Sequence, residues 1–375
     1  MSKLIFKRAD IKPFLDGLTI YGTGGGGDPE WGKIILENDF DHGRSFEIVD
    51  PEDIADDAFV CSGGIMGSVK SLDDLSYEDT TYGWEDDFPL VNAIRAMEKI
   101  IGKKVDYLIP FEVGALNTPV IMSAAARLGI PMINGDACGR SCPETQMTSF
   151  IGHGIDLYPM PLVDSYGNTS IVMSGNTPTY ADELGRFIVV KGGGFGANAH
   201  YPMTGAELKR SCVPYTVTKA IEFGKIIENA NFKGRNPVEA FRKFVDGKLI
   251  FDGVVCQLEG EDRGGFYLTN LIMDGKGQFN GKKLKMIVKN ESMAVWIDDK
   301  LSIMFPDCAF MLYSETGYGV ASIDHKVGLS MSIVCTPCHE RIRECMETDI
   351  GKIAFGAARY GYSELEYVPF EKLYL

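Results

Sequence analysis

The chain alternates between two hydrophobic rhythms. In FPLVNAIRAMEKIIG, Phe88 to Gly102, apolar residues return every three or four positions, which predicts an amphipathic helix closed by the glycine. DAFVCSGGIMGS, DYLIPFEVGA and IPMINGD are instead short, nearly unbroken apolar runs ending in glycine or polar residues. Such runs read as buried strands. NTPVIMSAAARLG reverts to helical spacing, and Asp28-Pro29 is a helix start, an N-cap acid followed by proline at the first helical position. Strand and helix thus alternate through the first 165 residues, the βαβ rhythm of a mixed or parallel sheet with helices on its faces. TPTYADELGRFIVV, YTVTKAIEFGKIIENA and NPVEAFRKFVDG read as further helices. From Lys248 onward LIFDGVVCQLEG, GGFYLTNLIMDG, LKMIVKNESMAVWIDD and KLSIMFPDCAFML predict strands at hairpin spacing. The expected fold is an N-terminal α/β domain over residues 1–165 and a β-rich α+β C-terminal domain over residues 166–375.

Composition narrows the function classes. A chain of 375 residues with 45% hydrophobic and 24% charged content has ample material for two cores. Its formal charge of −15 comes with no Lys/Arg cluster, which argues against nucleic acid as a partner. No apolar run approaches the roughly 18 residues of a membrane span, so no membrane partner is expected. Charges interrupt the N-terminal MSKLIFKRADIKPF, so a secretory signal is not expected and the protein reads as cytoplasmic. The nine cysteines are scattered and odd in number, the pattern of reduced thiols.

Three segments carry candidate chemistry. In YGTGGGGDPEWG, glycines 24, 25, 26 and 27 run straight into Asp28-Pro29. Gly22, Gly24 and Gly27 fit G-x-G-x-x-G, but a helix precedes them where a dinucleotide fingerprint needs a strand, and no P-loop lysine follows. Glycine there allows positive φ and close backbone approach to a ligand; a tight structural turn is the alternative. The second segment is PFEVGALNTP, a strand end with Glu112 and a helix start at Asn117. The third is INGDACGRSCPETQM, with Asn134, Asp136, Arg140, Glu144 and Gln146; a helix is expected to begin at Ser141 to Glu144. If the two strands are neighbours, Glu112 and Asp136 converge at one sheet edge, as a base and a stabiliser or as an ion-paired tie between loops. KGGGFGANAH, Lys191 to His200, reads as a second glycine-rich loop, either lining the same cleft across the domain interface or making a structural turn, and Cys335-Thr-Pro-Cys338-His339 with Cys345 leaves a divalent metal such as zinc open against a plain turn.

The order YGTGGGGDPEWG, FEVGALNTPVIMSAAARLGIPMINGDACGRSCPETQMTSF, TVTKAIEFGKII, NESMAVW and FGAARYGYSELEYVPFE resembles the S-methyl thiohydantoin desulfurase family, found beside hydantoinase and oxoprolinase-type proteins. The resemblance spans nearly the whole chain. It implies the two domains and hydrolysis of a hydantoin-like five-membered ring with release of thiol. It carries Gly24 to Asp28, Glu112, Asn117, Asp136, Arg140, Glu144 and Gln146 over as site residues. In that reading Glu112 or Asp136 is the general base, Arg140 grips the ring's carbonyl or side-chain carboxylate, and glycine amides stabilise developing charge. A metal-activated water is the variant. The competing class is a non-catalytic accessory subunit of a hydantoinase-type enzyme, and a homo-oligomer is the base-rate expectation.

Overall fold

The computed structural model describes residues 3–67, 75–263 and 266–373. An eight-stranded mixed sheet is built from β1 (Lys3–Phe6), β2 (Phe46–Val49), β3 (Phe59–Gly67), β4 (Tyr107–Pro110), β5 (Met132–Ile133), β7 (Met160–Asp164), β8 (Thr169–Val172) and β9 (Phe195–Thr204). Its order is β1-β2-β5-β4-β3-β9-β7-β8. The inner strands β2, β5, β4 and β3 run parallel, as the βαβ rhythm predicts. The strands β1, β9, β7 and β8 join antiparallel. A two-stranded ribbon pairs β6 (Gly135–Asp136) with β10 (Val213–Pro214).

The second sheet holds β11 (Lys248–Arg263), β12 (Phe266–Gly275), β13 (Lys283–Lys289), β14 (Glu291–Ile297), β15 (Lys300–Met304), β16 (Cys308–Tyr313) and β17 (Ser330–Thr336). It is antiparallel throughout, ordered β15-β14-β13-β12-β11-β17-β16. The fold is therefore the expected one, an α/β half and a β-rich half. The first sheet draws on the chain as far as Thr204, and the helix Thr216–Phe232 packs on the helix Ile11–Gly22 through a Tyr21–Phe223 stack with centroids 4.5 Å apart.

Local chemistry sets the helix ends. Asp28 Oδ1 accepts from the Glu30 amide at 2.8 Å and Pro29 fills the first helical position of Pro29–Asp41. Helices Pro89–Ile101 and Asn117–Leu128 end on left-handed Gly102 and Gly129. Two expectations fail. Residues 137–148 are not helical, and the next helical turn is Ser149–Gly152. Their amides are used elsewhere: Ser141 donates to the Tyr21 carbonyl, Cys142 to Glu112 Oε2 and Thr145 to Asp182 Oδ1. The Lys191 to His200 segment is not a loop throughout, because from Phe195 it is strand β9.

The loop from Thr23 to Gly27 joins the two halves. The Thr23 and Gly24 carbonyls accept from the Ser292 and Ser322 amides of the second half, and the Gly26 carbonyl accepts from Leu116 in the first. Gly26 has φ +78°, and a Cβ there would lie 2.5 Å from the Gly114 Cα, backbone against backbone. Gly26→Ala is therefore expected to cost about 2–4 kcal/mol, visible as a lower urea midpoint.

Candidate functional site

The carboxyl ends of β4 and β5 meet the tip of the β13–β14 hairpin. Leu108 pairs with Met132, so the segments following both strands emerge side by side. Asn290 is the left-handed residue (φ +58°) that reverses the hairpin, and it delivers Glu291 into the first half. A cleft forms between them, lined by Gly26, Gly27, Phe111, Glu112, Asn117 and Cys142 from the first half and by Asn290 and Glu291 from the second, among others. Its volume is about 70 Å³. With roughly 10–15 Å³ needed per water, that is room for a handful of waters. A larger hollow of about 660 Å³ lies by Gly139, Thr216 and Phe310 but contains no carboxyl pair.

Glu112 is 2% exposed and is ringed by donors. Asn117 Nδ2 donates to Oε1; Ser141 Oγ and the Cys142 amide each donate to Oε2 at 2.6 Å. Ser141 Oγ is also 2.8 Å from Glu291 Oε1. Burial pushes both carboxyls upward, while Ser141, the Cys142 amide and Asn117 hold Glu112 down. Glu291 is pushed to about 8, by burial first and then by the charge of Glu112. The run of glycines now has a steric reason. A Cβ on Gly25 would sit 1.9 Å from Glu291 Oε1, so only glycine leaves room for that carboxyl.

The other sequence-derived residues sit differently. Asp136 is buried; its Oδ2 accepts from the Cys138 and Gly139 amides at 2.7 Å, Oδ1 has no hydrogen-bond partner among the described residues, and burial raises it to about 7. It lies outside the cleft lining, although the Glu112 charge reaches it. Arg140 is fully buried over the Phe305 ring and donates to the Ser141, Asp307 and Ser292 carbonyls and to Thr23 Oγ1. It is a brace between the halves, not a cleft residue. Glu144 is paired with Lys289 and Arg359 and accepts from Gln146 Nε2 at 2.8 Å. Asn134 bonds Asp50 and Thr218, and Asp28 caps its helix and accepts from Tyr77. Of the glycines, Gly26 and Gly27 line the cleft, Gly25 faces Glu291, and Gly24 packs by Met311.

Sequence reasoning missed Glu291 and Ser141. KNES lies inside LKMIVKNESMAVWIDD, which reads as strand, and its one signal was the place of NESMAVW in the resemblance. It also left Cys142, whose thiol burial pushes far up, unassigned; Asn198 lies in the Lys191 to His200 segment weighed as a cleft wall, and it is in the lining. His200 is buried between Phe111 and Tyr201, both ring nitrogens unpartnered, and burial lowers it to about 3. No group of three or more His, Cys, Asp or Glu side chains among the described residues is arranged to hold a metal ion. Cys335 lies within β17, and His339 Nδ1 caps the helix Glu340–Glu347. No helix among the described residues is long and apolar enough to cross a membrane.

Residues 9–174 match the model of the S-Me-THD-like N-terminal domain, and residues 176–370 that of the S-Me-THD-like C-terminal domain. An X-ray structure of a protein from Chromobacterium violaceum has a similar fold: TM-score 0.78 at 21% identity, over 98% of this chain and 100% of that one. No curated protein matches the sequence.

Two outcomes are expected. Arg140→Ala strips the donor from several buried acceptors and should cost about 3 kcal/mol or more by denaturant unfolding. Arg140→Lys should restore little, because an ammonium cannot span the same fork. The second concerns pH. The folded chain holds the Glu291 proton above its ordinary value of 4.5, so this stabilisation is complete below that value and is lost as pH rises through about 8. Glu291→Gln should flatten the fall in melting temperature between those values, and adding Asp136→Asn should flatten it further.

Proposed function

The chain belongs to the S-Me-THD-like family, the S-methyl thiohydantoin desulfurases, and from that premise we propose that it hydrolyses an S-methyl thiohydantoin or a related hydantoin-like ring. The carrying observation is Glu112, a buried carboxylate at the wall of a cleft between the two halves. Water attacks the amidine-like ring carbon, the C–S bond breaks, and methanethiol and hydantoin leave. Glu112 is the base that takes the proton from water. Three donors fix both of its oxygens, so it meets the water in one orientation. Asn117 lines the cleft but is tied to Glu112 and to the Ile65 amide, so it positions the base, while Asn198, also in the lining, offers a side-chain amide to the ring edge. Asp136 is outside the lining and acts at most through its loop.

The accessory-subunit reading rests on exposed apolar residues along the helix Tyr180–Lys191, namely Tyr180, Phe187 and Val190. One assay separates the two. Purified protein with an S-methyl thiohydantoin should release methanethiol and hydantoin in equal amounts. Glu112→Gln should lower that rate roughly 10²–10⁴-fold in protein that still unfolds cooperatively, with some stability lost because one of the three donors then faces an amide N–H. Asp136→Asn should keep most of it. No release, with and without added divalent metal, overturns the hydrolase reading and leaves the accessory subunit.

A further inference from the structure

Proton counting at Ser141 leads beyond a single base. A serine hydroxyl has one hydrogen. Ser141 Oγ nonetheless lies within hydrogen-bond distance of two buried carboxyl oxygens, Glu112 Oε2 at 2.6 Å and Glu291 Oε1 at 2.8 Å. Were both carboxyls ionised, one of these contacts would set lone pairs against lone pairs, with two like charges sharing a dry site. One more hydrogen is required, and the surroundings say where it sits. Glu112 already accepts from Asn117 and the Cys142 amide, which suits a carboxylate. Glu291 is 2% exposed, and among the described residues its Oε2 has no partner, which suits a carboxylic acid. The neighbouring charges are committed elsewhere. Arg140 bonds carbonyls and hydroxyls, Lys289 is tied to Glu144, and the Asp136 carboxyl to backbone amides. The Cys142 thiol is kept protonated by burial.

We propose that Glu291, Ser141 and Glu112 form a proton relay across the boundary between the two halves, with the shared proton resident on Glu291, which is the acid of the reaction. This rests on the hydrolase reading above. In the first step Glu112 takes a proton from water as its oxygen bonds the ring carbon. The C=N electron pair moves to the ring nitrogen, which takes the Glu291 proton. Ser141 then hands its own hydrogen to Glu291 and receives the one held by Glu112. In the second step Glu112 takes the remaining proton from that oxygen, C=O forms, and the C–S bond breaks. The departing methylthiolate takes the proton from Glu291, and Ser141 resets the pair. Water thus ends as one carbonyl oxygen, one N–H and one S–H, with no oxidant or further reactant.

The hairpin supplies the acid and the glycine loop the space for it. This explains why the second half contributes one functional side chain to a cleft otherwise formed mainly by the first.

Two measurements test the relay on the full chain. In the Asp136→Asn background, which removes the other carboxyl raised near neutrality, infrared spectroscopy at pH 7 should show a protonated carboxyl band that Glu291→Gln removes and that titrates away as pH passes about 8. Its presence unchanged after Glu291→Gln, or its absence from the Asp136→Asn protein, overturns the relay. Rapid-mixing release of methanethiol should show Ser141→Ala slowed at least tenfold in every turnover, while Glu291→Gln loses roughly 10²–10⁴-fold. Wild-type rates in either variant overturn the relay. Should the wild type release no methanethiol, the hydrolase reading falls, and the infrared band alone decides whether Glu291 carries the proton.

Discussion

A single buried guanidinium holds the two halves in register. Arg140 lies over Phe305 and reaches the glycine loop at Thr23 and the second half at Ser292 and Asp307. The next residue in the chain is Ser141. With Arg140 fixed, Ser141 is held where its hydroxyl meets a glutamate from each half, and Ser292, which Arg140 also grips, follows Glu291 directly. A buried arginine is costly to desolvate and is tolerated only when its donors find acceptors. Here those acceptors are mainly backbone carbonyls, so the brace locks chain paths and not merely side chains.

That geometry places like charges together, an arrangement unfavourable to stability. Glu112 and Glu291 share one hydroxyl out of water, and the response is a proton held near neutral pH. Groups displaced in this way are common where proton transfer is needed, and a small cleft opens beside them. Asp136 is displaced as well, yet its loop amides and its position outside the lining give it a structural setting. The contrast shows that a raised carboxyl marks a site only together with access.

Much of the fold was legible. The 3.6-residue rhythm of Pro89–Ile101, the capping pair Asp28-Pro29 and the terminal glycines 102 and 129 are local signals, and the structure keeps them because packing agrees with them. The helix expected from Ser141 was lost to tertiary hydrogen bonds. Cys142 and Thr145 donate to the carboxylates of Glu112 and Asp182, partners 30 and 37 residues away along the chain. Strand β9 was hidden by the glycines 192–194 before it and Gly196 within it, which lower strand propensity; a Cβ at Gly196 would lie 2.7 Å from the Val163 carbonyl of β7.

For the site, the sequence alone determined that Glu112 stands at a strand end and that the glycine run precedes a helix start. Both follow from local pattern, as does the family to which the chain belongs. Only the tertiary structure decided which acid stands opposite Glu112. Asp136 is near in sequence, but its carboxyl turns to its own loop amides; Glu291, 179 residues further on, fills the place beside Gly25. The reason is physical. Hydrogen-bond partners across two domains are chosen by how the sheets pack, and a polar Asn-Glu step between two apolar strands is buried only once another domain covers it.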